Sequence, residues 1–302
     1  MRLVTDTLGI LRRHRRSLLI NHLFFTGFTL AVLAPAVGTL FSVLEPVTGQ
    51  GAISTGGIAA FLFSAGGLVW MVVTLTAVMT TLALEQAGMT VIASSVDRAG
   101  EYRLTLAALW LVARRSGRLL WLTLLQVMGH LVVALPFLLI IAVAWRTLLS
   151  GYETYFISIT RPVELWWFLG IAVAALAGMF SGNGWLFLRW SLAVPIATLE
   201  RTTALDALLS SSRRIHGSKR QLVVALVAGG SVLLLPLLFT YLFQVMGAPY
   251  LALMPASPRA LIPAITVYVA LYLLLMIAVA FVLSAGFSLL IYRVYLTTSG
   301  HS

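Results

Sequence analysis

Arg189 and Glu200 are the charged residues closest to an apolar stretch, residues 165–199, that otherwise has the composition of a membrane anchor. Eleven positions separate them, about three helical turns, so a helix that Pro195 only kinks would set both on one face. An ionisable side chain at membrane depth costs about 2.5–3.5 kcal/mol on insertion scales and normally finds a partner inside a bundle. The chemistry expected is an ion pair or a lipid-headgroup site at the end of the helix; the plainer alternative is an arginine that snorkels to the interface. Glu85 closes the second apolar run, where it could reach Arg189 or the basic segments, or stand solvated at a helix end. His22 and His130, with Gln126 one turn before His130, are candidates for a proton path, and Asn183 in the fourth run is a further weak polar candidate. Nothing in their spacing resembles His-x-x-x-His or Glu-x-x-His, and no intramembrane aspartate joins them, so satisfied structural histidines and no metal site are expected. The chain has neither a GxxxxGK[ST] phosphate loop nor a GxSxG nucleophile elbow.

The elements that must position these residues are membrane helices. Of 302 residues, 60% are hydrophobic and only 10% charged, with a mean hydropathy of +1.01; a soluble domain is normally about a quarter charged. Runs long enough to cross a bilayer, about 20 residues each, fall at 17–44, 66–84, 119–145, 165–194, 222–245 and 262–291. The expected fold is an all-α polytopic membrane protein, a single domain over 1–302 with six spans and amphipathic interfacial helices. The first run is too long for a cleavable signal peptide and is followed by Glu45 and Pro46. Residues 58–64 are apolar but too short to cross, and a re-entrant or interfacial turn is expected there.

Basic residues fix the expected orientation. Arg2, Arg12, Arg13, Arg15 and Arg16 precede the first run; Arg98, Arg103, Arg114, Arg115 and Arg118 lie between the second and third; Arg201, Arg213, Arg214, Lys219 and Arg220 between the fourth and fifth; Arg293 after the last. The opposite side holds only Arg146, Arg161 and Arg259, so the positive-inside rule places both termini in the cytoplasm. The net charge of +11 is then a topology signal and an attraction for anionic inner-leaflet lipid, with Arg114, Arg115, Arg118, Arg213 and Arg214 as phosphate contacts. No nucleic-acid partner is implied, because the charges flank spans. The arginine-rich, alanine- and leucine-rich composition suggests a bacterial gene and a bacterial inner membrane. Cysteine is absent, which removes disulfide and thiolate chemistry.

Two segments at the basic side are patterned as amphipathic helices. In 101–118, Tyr102, Leu106, Leu109 and Ala113 recur at helical spacing away from Arg103, Arg114 and Arg118. In 201–217, Thr202 or Thr203 can cap, Ala204, Leu205, Leu208 and Leu209 form an apolar side, and Gly217 can stop the helix.

The runs Tyr152-Glu153-Thr154-Tyr155, Arg161-Pro162-Val163-Glu164-Leu165-Trp166, Leu188-Arg189-Trp190-Ser191-Leu192-Ala193-Val194-Pro195, Leu199-Glu200 and 207–217, with Asn21-His22-Leu23-Phe24 early in the chain, resemble the membrane domain at the N-terminus of bacterial glycerophosphoryl diester phosphodiesterases. In fused members of that family a catalytic barrel follows, opening with His-Arg-Gly and holding a divalent cation with a Glu-x-Asp pair. Here His301 is followed by Ser302. The resemblance therefore implies a non-catalytic module without cofactor, not an enzyme in these residues, that anchors and supplies lipid-derived substrate to a cytoplasmic catalytic partner. The alternative is a small permease or the membrane subunit of an ATP-driven exporter, with 201–217 docking an ATPase partner. Polar residues converging on an intramembrane cavity would mark the transporter.

Overall fold

The computed structural model describes residues 2–48, 61, 64–95, 101–152, 159–200, 202–216, 223, 238–245 and 258–299, and every regular element among them is helical. In chain order these are α1 (Arg2–Arg13), α2 (Arg15–Thr48), α3 (Ala65–Ser94), α4 (Glu101–Leu148), α5 (Val163–Trp190), α6 (Ala193–Leu199), α7 (204–216) and α8 (Pro258–Thr298). Five stretches are long and apolar enough to cross a membrane: Arg15–Ala36, Ala65–Ser94, Tyr102–Leu148, Val163–Leu199 and Leu261–Thr298. The protein is thus an all-helical, membrane-spanning chain. Most of the run expected at 222–245, and the turn expected at 58–64, lie outside the described residues. Helical residues 238–245 pack on α8, where Phe243 stacks on Tyr268 and Tyr272 and Gln244 donates to the Tyr272 hydroxyl at 2.8 Å.

Large apolar side chains such as Val132, Trp167 and Val173 stand exposed on the bundle exterior, as suits lipid as the outer solvent. The packed core lies instead at the end where the basic residues gather. There α6 is buried along Ala193–Thr198, surrounded by Ala87, Val112, Leu119, Leu122, Leu208, Ile215 and Ile291.

Three sequence expectations are revised. First, α3 does not stop at 84. Ser64 caps its start by accepting from the Gly67 N–H at 3.0 Å, and the helix runs on to Ser94. Its last two turns hold buried Ala87, Met89 and Ile92, so neighbours cover a stretch whose hydropathy alone reads as an exit. Second, 101–118 is not a separate interfacial helix but the first part of α4, a single helix of 48 residues. Its buried line is Thr105, Ala108 and Val112, while Tyr102 and Leu106 are exposed. Leu106, Leu109 and Ala113 line an apolar groove of about 470 Å³ with Phe24, Phe25 and Phe28 of α2. Third, Pro195 does not kink a continuous fourth helix. α5 ends at Trp190, and Pro195 occupies the first turn of the separate α6, where its missing N–H would have had no helical partner.

Helices α4 and α5 approach closely through glycine. Gly178 and Gly182 of α5, at the spacing of a small-x-x-x-small interface, receive Phe137 and Val133 of α4, and Gly129 of α4 receives the Trp190 ring. At the chain ends, α1 packs on α8 and Asp6 pairs with Arg293.

Candidate functional site

Arg189 and Glu200 do not pair. The break at Ser191 and Leu192 turns the chain between them, and each finds its own partner. Arg189 donates from Nε to the Ser212 hydroxyl at 2.9 Å, with its guanidinium 4.4 Å from the Trp185 ring centroid one turn earlier on α5. Glu200, at the end of α6, accepts both guanidinium donors of Arg214, at 2.7 and 2.9 Å, and the Tyr295 hydroxyl at 3.0 Å. Arg118 adds a bond of 3.5 Å to the Glu200 carbonyl. This bidentate fork ties α6, α7 and α8 together. Bonding to Glu200 raises the Arg214 pKa above its ordinary value despite the opposing effect of burial, so this arginine stays charged and engaged. It is therefore a partner of Glu200 rather than a free phosphate contact. Arg114 and Arg213 remain exposed and suited to lipid phosphate, while Arg115 and Arg118 are half-buried.

Ser211 explains why the chain can break here. Its hydroxyl donates to the Arg189 carbonyl at 2.7 Å and accepts from the Leu192 N–H at 3.2 Å. Two backbone groups freed by the α5–α6 break are thereby satisfied in a buried place.

Glu85 lies inside α3, only 4% exposed, and bonds neither Arg189 nor the basic segments. Its Oε1 meets His22 Nδ1 of α2 at 2.8 Å, and Ser284 of α8 donates to the same oxygen. Asn21 Nδ2 donates to the Glu85 carbonyl at 3.2 Å. His22 continues to Thr26 at 3.4 Å and faces the Phe281 ring. The carboxylate, not the imidazole, touches the serine, the reverse of the relay that activates a hydroxyl nucleophile.

His130 and Asn183, expected only as separate candidates, form a pair: Nδ1 donates to the Asn183 amide oxygen at 2.7 Å, and Asn183 Nδ2 donates to the Met179 carbonyl at 3.0 Å. Trp190 stands edge-on to the His130 ring at 5.7 Å. Both residues line a cavity of about 720 Å³ between α3, α4, α5 and α8, well within the range of small-molecule sites. Gln86, Gln126, Ser191, Ser284 and Ser288 also reach it, against a mainly apolar wall that includes Leu75, Met79, Phe180 and Phe187. Among the described residues, none that lines it carries a fixed charge. Gln86 Nε2 is buried and has no hydrogen-bond partner among the described residues, a donor with unused capacity at the wall.

The sequence reading missed Gln86, Ser284, Ser288, Ser211 and Tyr295. The one local signal was Ser284-x-x-x-Ser288, two hydroxyls on one face of an otherwise apolar helix. No group of three or more His, Cys, Asp or Glu that could hold a metal occurs among the described residues. Compared with family models, curated proteins and solved structures, the chain finds no match. The resemblance to the phosphodiesterase membrane domain rests on the quoted runs alone.

Proposed function

We propose that this chain is a non-catalytic membrane module that handles a lipid-derived amphiphile, placed in a bacterial inner membrane with six spans and both termini in the cytoplasm. The observation that supports it is the cavity between α3, α4, α5 and α8: an apolar wall with a few uncharged polar groups and one unpartnered amide donor. Such a lining suits an acyl chain with ester, hydroxyl or phosphoryl oxygens. Exposed Arg114 and Arg213 would hold the basic end against anionic headgroups. The Glu200–Arg214–Tyr295 cluster serves as a clasp for that end, and a cytoplasmic catalytic partner would receive the lipid-derived substrate.

A small permease is the second reading, favoured by the convergence of Gln126, His130 and Asn183 on one cavity. The uncharged lining among the described residues argues against a strongly charged solute. The discriminating experiment is mass spectrometry of lipids and soluble phosphodiesters that co-purify with the protein, beside Ala134→Trp, which places an indole in the cavity wall. Selective enrichment of a lipid-derived species, lost in Ala134→Trp, is expected. A bulk-like lipid profile in both proteins would overturn the lipid reading and leave solute uptake in proteoliposomes as the next assay.

A further inference from the structure

A ligand in the cavity between α3, α4, α5 and α8 must match the hydrogen-bond capacity that the wall leaves unused. We propose, resting on the amphiphile reading of that cavity, that it takes an uncharged lipid with a free hydroxyl and an ester carbonyl, a mono- or diacylglycerol, in preference to a phosphorylated one.

The direction of each bond in the wall follows from its partners. Asn183 Nδ2 donates to the Met179 carbonyl at 3.0 Å, which turns the amide oxygen toward His130. An amide oxygen only accepts, so the proton of the 2.7 Å bond sits on His130 Nδ1, and in the uncharged ring Nε2 is left with a lone pair. Ser284 donates its proton to Glu85 Oε1, and Ser191 donates to the Leu188 carbonyl at 2.9 Å. Both hydroxyls therefore have only lone pairs left to offer. His130, Ser284 and Ser191 all line the cavity, and together they call for a donor on the ligand. Gln86 has the opposite polarity: its buried Nε2 has no partner among the described residues and calls for an acceptor. Gln126 offers both ends of its amide.

Charge is turned away from the lining. Glu85 and Arg189 are sequence neighbours of the lining residues Gln86 and Trp190, yet Glu85 faces His22 and Ser284, and Arg189 faces Ser212 and Trp185. A phosphoryl group would bring a negative charge to a wall with no cation among the described residues, at a depth where an unpaired charge is expensive. A glycerol hydroxyl brings none. It donates to one of the lone pairs, the ester carbonyl accepts from Gln86 Nε2, and the apolar part of the wall receives the acyl chain.

The full chain in mild detergent is titrated with monooleoylglycerol, methyl oleate or lysophosphatidate of the same chain, and saturable adducts are counted by native mass spectrometry. Monooleoylglycerol is expected to fill one site about two- to tenfold more tightly than methyl oleate, which lacks the hydroxyl. Lysophosphatidate, which adds the charge, should bind more weakly than monooleoylglycerol by about tenfold or more. Ala134→Trp should remove the saturable site. His130→Phe combined with Asn183→Leu removes both partners of one bond together, so neither is stranded, and should bring monooleoylglycerol down to the level of methyl oleate. Should that double variant not fold, Gln86→Leu decides. It deletes a donor with no bond to lose and must weaken monooleoylglycerol several-fold; unchanged binding overturns the proposal. Lysophosphatidate or methyl oleate bound as tightly as monooleoylglycerol also overturns it, while leaving an amphiphile site standing. No saturable adduct with any probe, or the same adducts in Ala134→Trp, overturns the proposal and the amphiphile reading together.

Discussion

Gly178→Ala places a methyl group 2.5 Å from Cε1 and 3.1 Å from Cζ of Phe137, well inside the roughly 3.5–4.0 Å at which carbon atoms attract. Neither side yields easily. Phe137 follows Pro136 within α4, and the interface is held on one side by Val133 against Gly182 and by the His130–Asn183 pair and on the other by Trp145 against Phe168. Overpacking of this kind costs about 1–3 kcal/mol. Gly184→Ala is the internal control, because nothing lies within 4 Å of its added Cβ. Both substitutions gain the same helix propensity, about 1 kcal/mol, so their difference isolates the steric cost. Gly182→Ala, with one contact at 2.9 Å, belongs between them. Thermal unfolding in mild detergent, read as loss of the monodisperse chromatographic peak, should rank Gly184→Ala highest and Gly178→Ala lowest. A difference of 1 kcal/mol corresponds to about 2–4 °C in a domain of 150–250 residues, so a gap of a few degrees is expected. Equal melting of Gly178→Ala and Gly184→Ala, or the reverse order, would refute the close α4–α5 packing.

Ser211→Ala strips a carbonyl and an N–H of their partner where the chain breaks, at about 1–3 kcal/mol for each buried group left unpaired; Ser210→Ala, which bonds neither, should unfold like the parent in the same detergent assay. A double-mutant cycle on Glu200→Gln and Arg214→Gln should return a coupling of about 1–2 kcal/mol. That exceeds most exposed pairs, because the fork is bidentate, Tyr295 shares the carboxylate, and the two side chains are 29% and 26% exposed. The sign of its pH dependence follows from Arg214, whose pKa is raised in the folded state. Its contribution is complete below the ordinary arginine value and is lost only as pH rises through the raised one. Measured at pH 6 and pH 9, the cycle should therefore show no loss from arginine deprotonation.

Composition and the apolar runs were enough to read the helical, membrane-spanning character, because bilayer thickness dictates run length whatever the packing. Where helices end was less legible. Glu85 looked like an exit from α3 because hydropathy falls after Leu84, yet the backbone ladder is indifferent to one charged side chain when His22 and Ser284 receive it. Arg114, Arg115 and Arg118 looked like a boundary for the same reason, and α4 passes through them unbroken. The pairings were the least legible part. His22 and Glu85 are 63 positions apart and Glu85 and Ser284 are 199 apart, so no local period links them. Arg189 and Glu200 misled in the other direction. Their spacing fits one helical face, but Ser211 takes up the backbone groups freed where the chain turns between them and Ser212 receives the Arg189 side chain.

The length of α4 has a mechanical consequence. At 1.5 Å per residue its 48 residues extend about 72 Å, more than twice the roughly 30 Å hydrocarbon core of a bilayer. A rod of that kind ties two regions to one backbone ladder: its first turns bury Thr105, Ala108 and Val112 in the core at the basic end, and Gln126 and His130 further along stand in the cavity wall. From Arg118, beside the Glu200 carbonyl, to His130 the helix rises about 18 Å, so the distance between the basic end and the cavity wall is set by the helix itself.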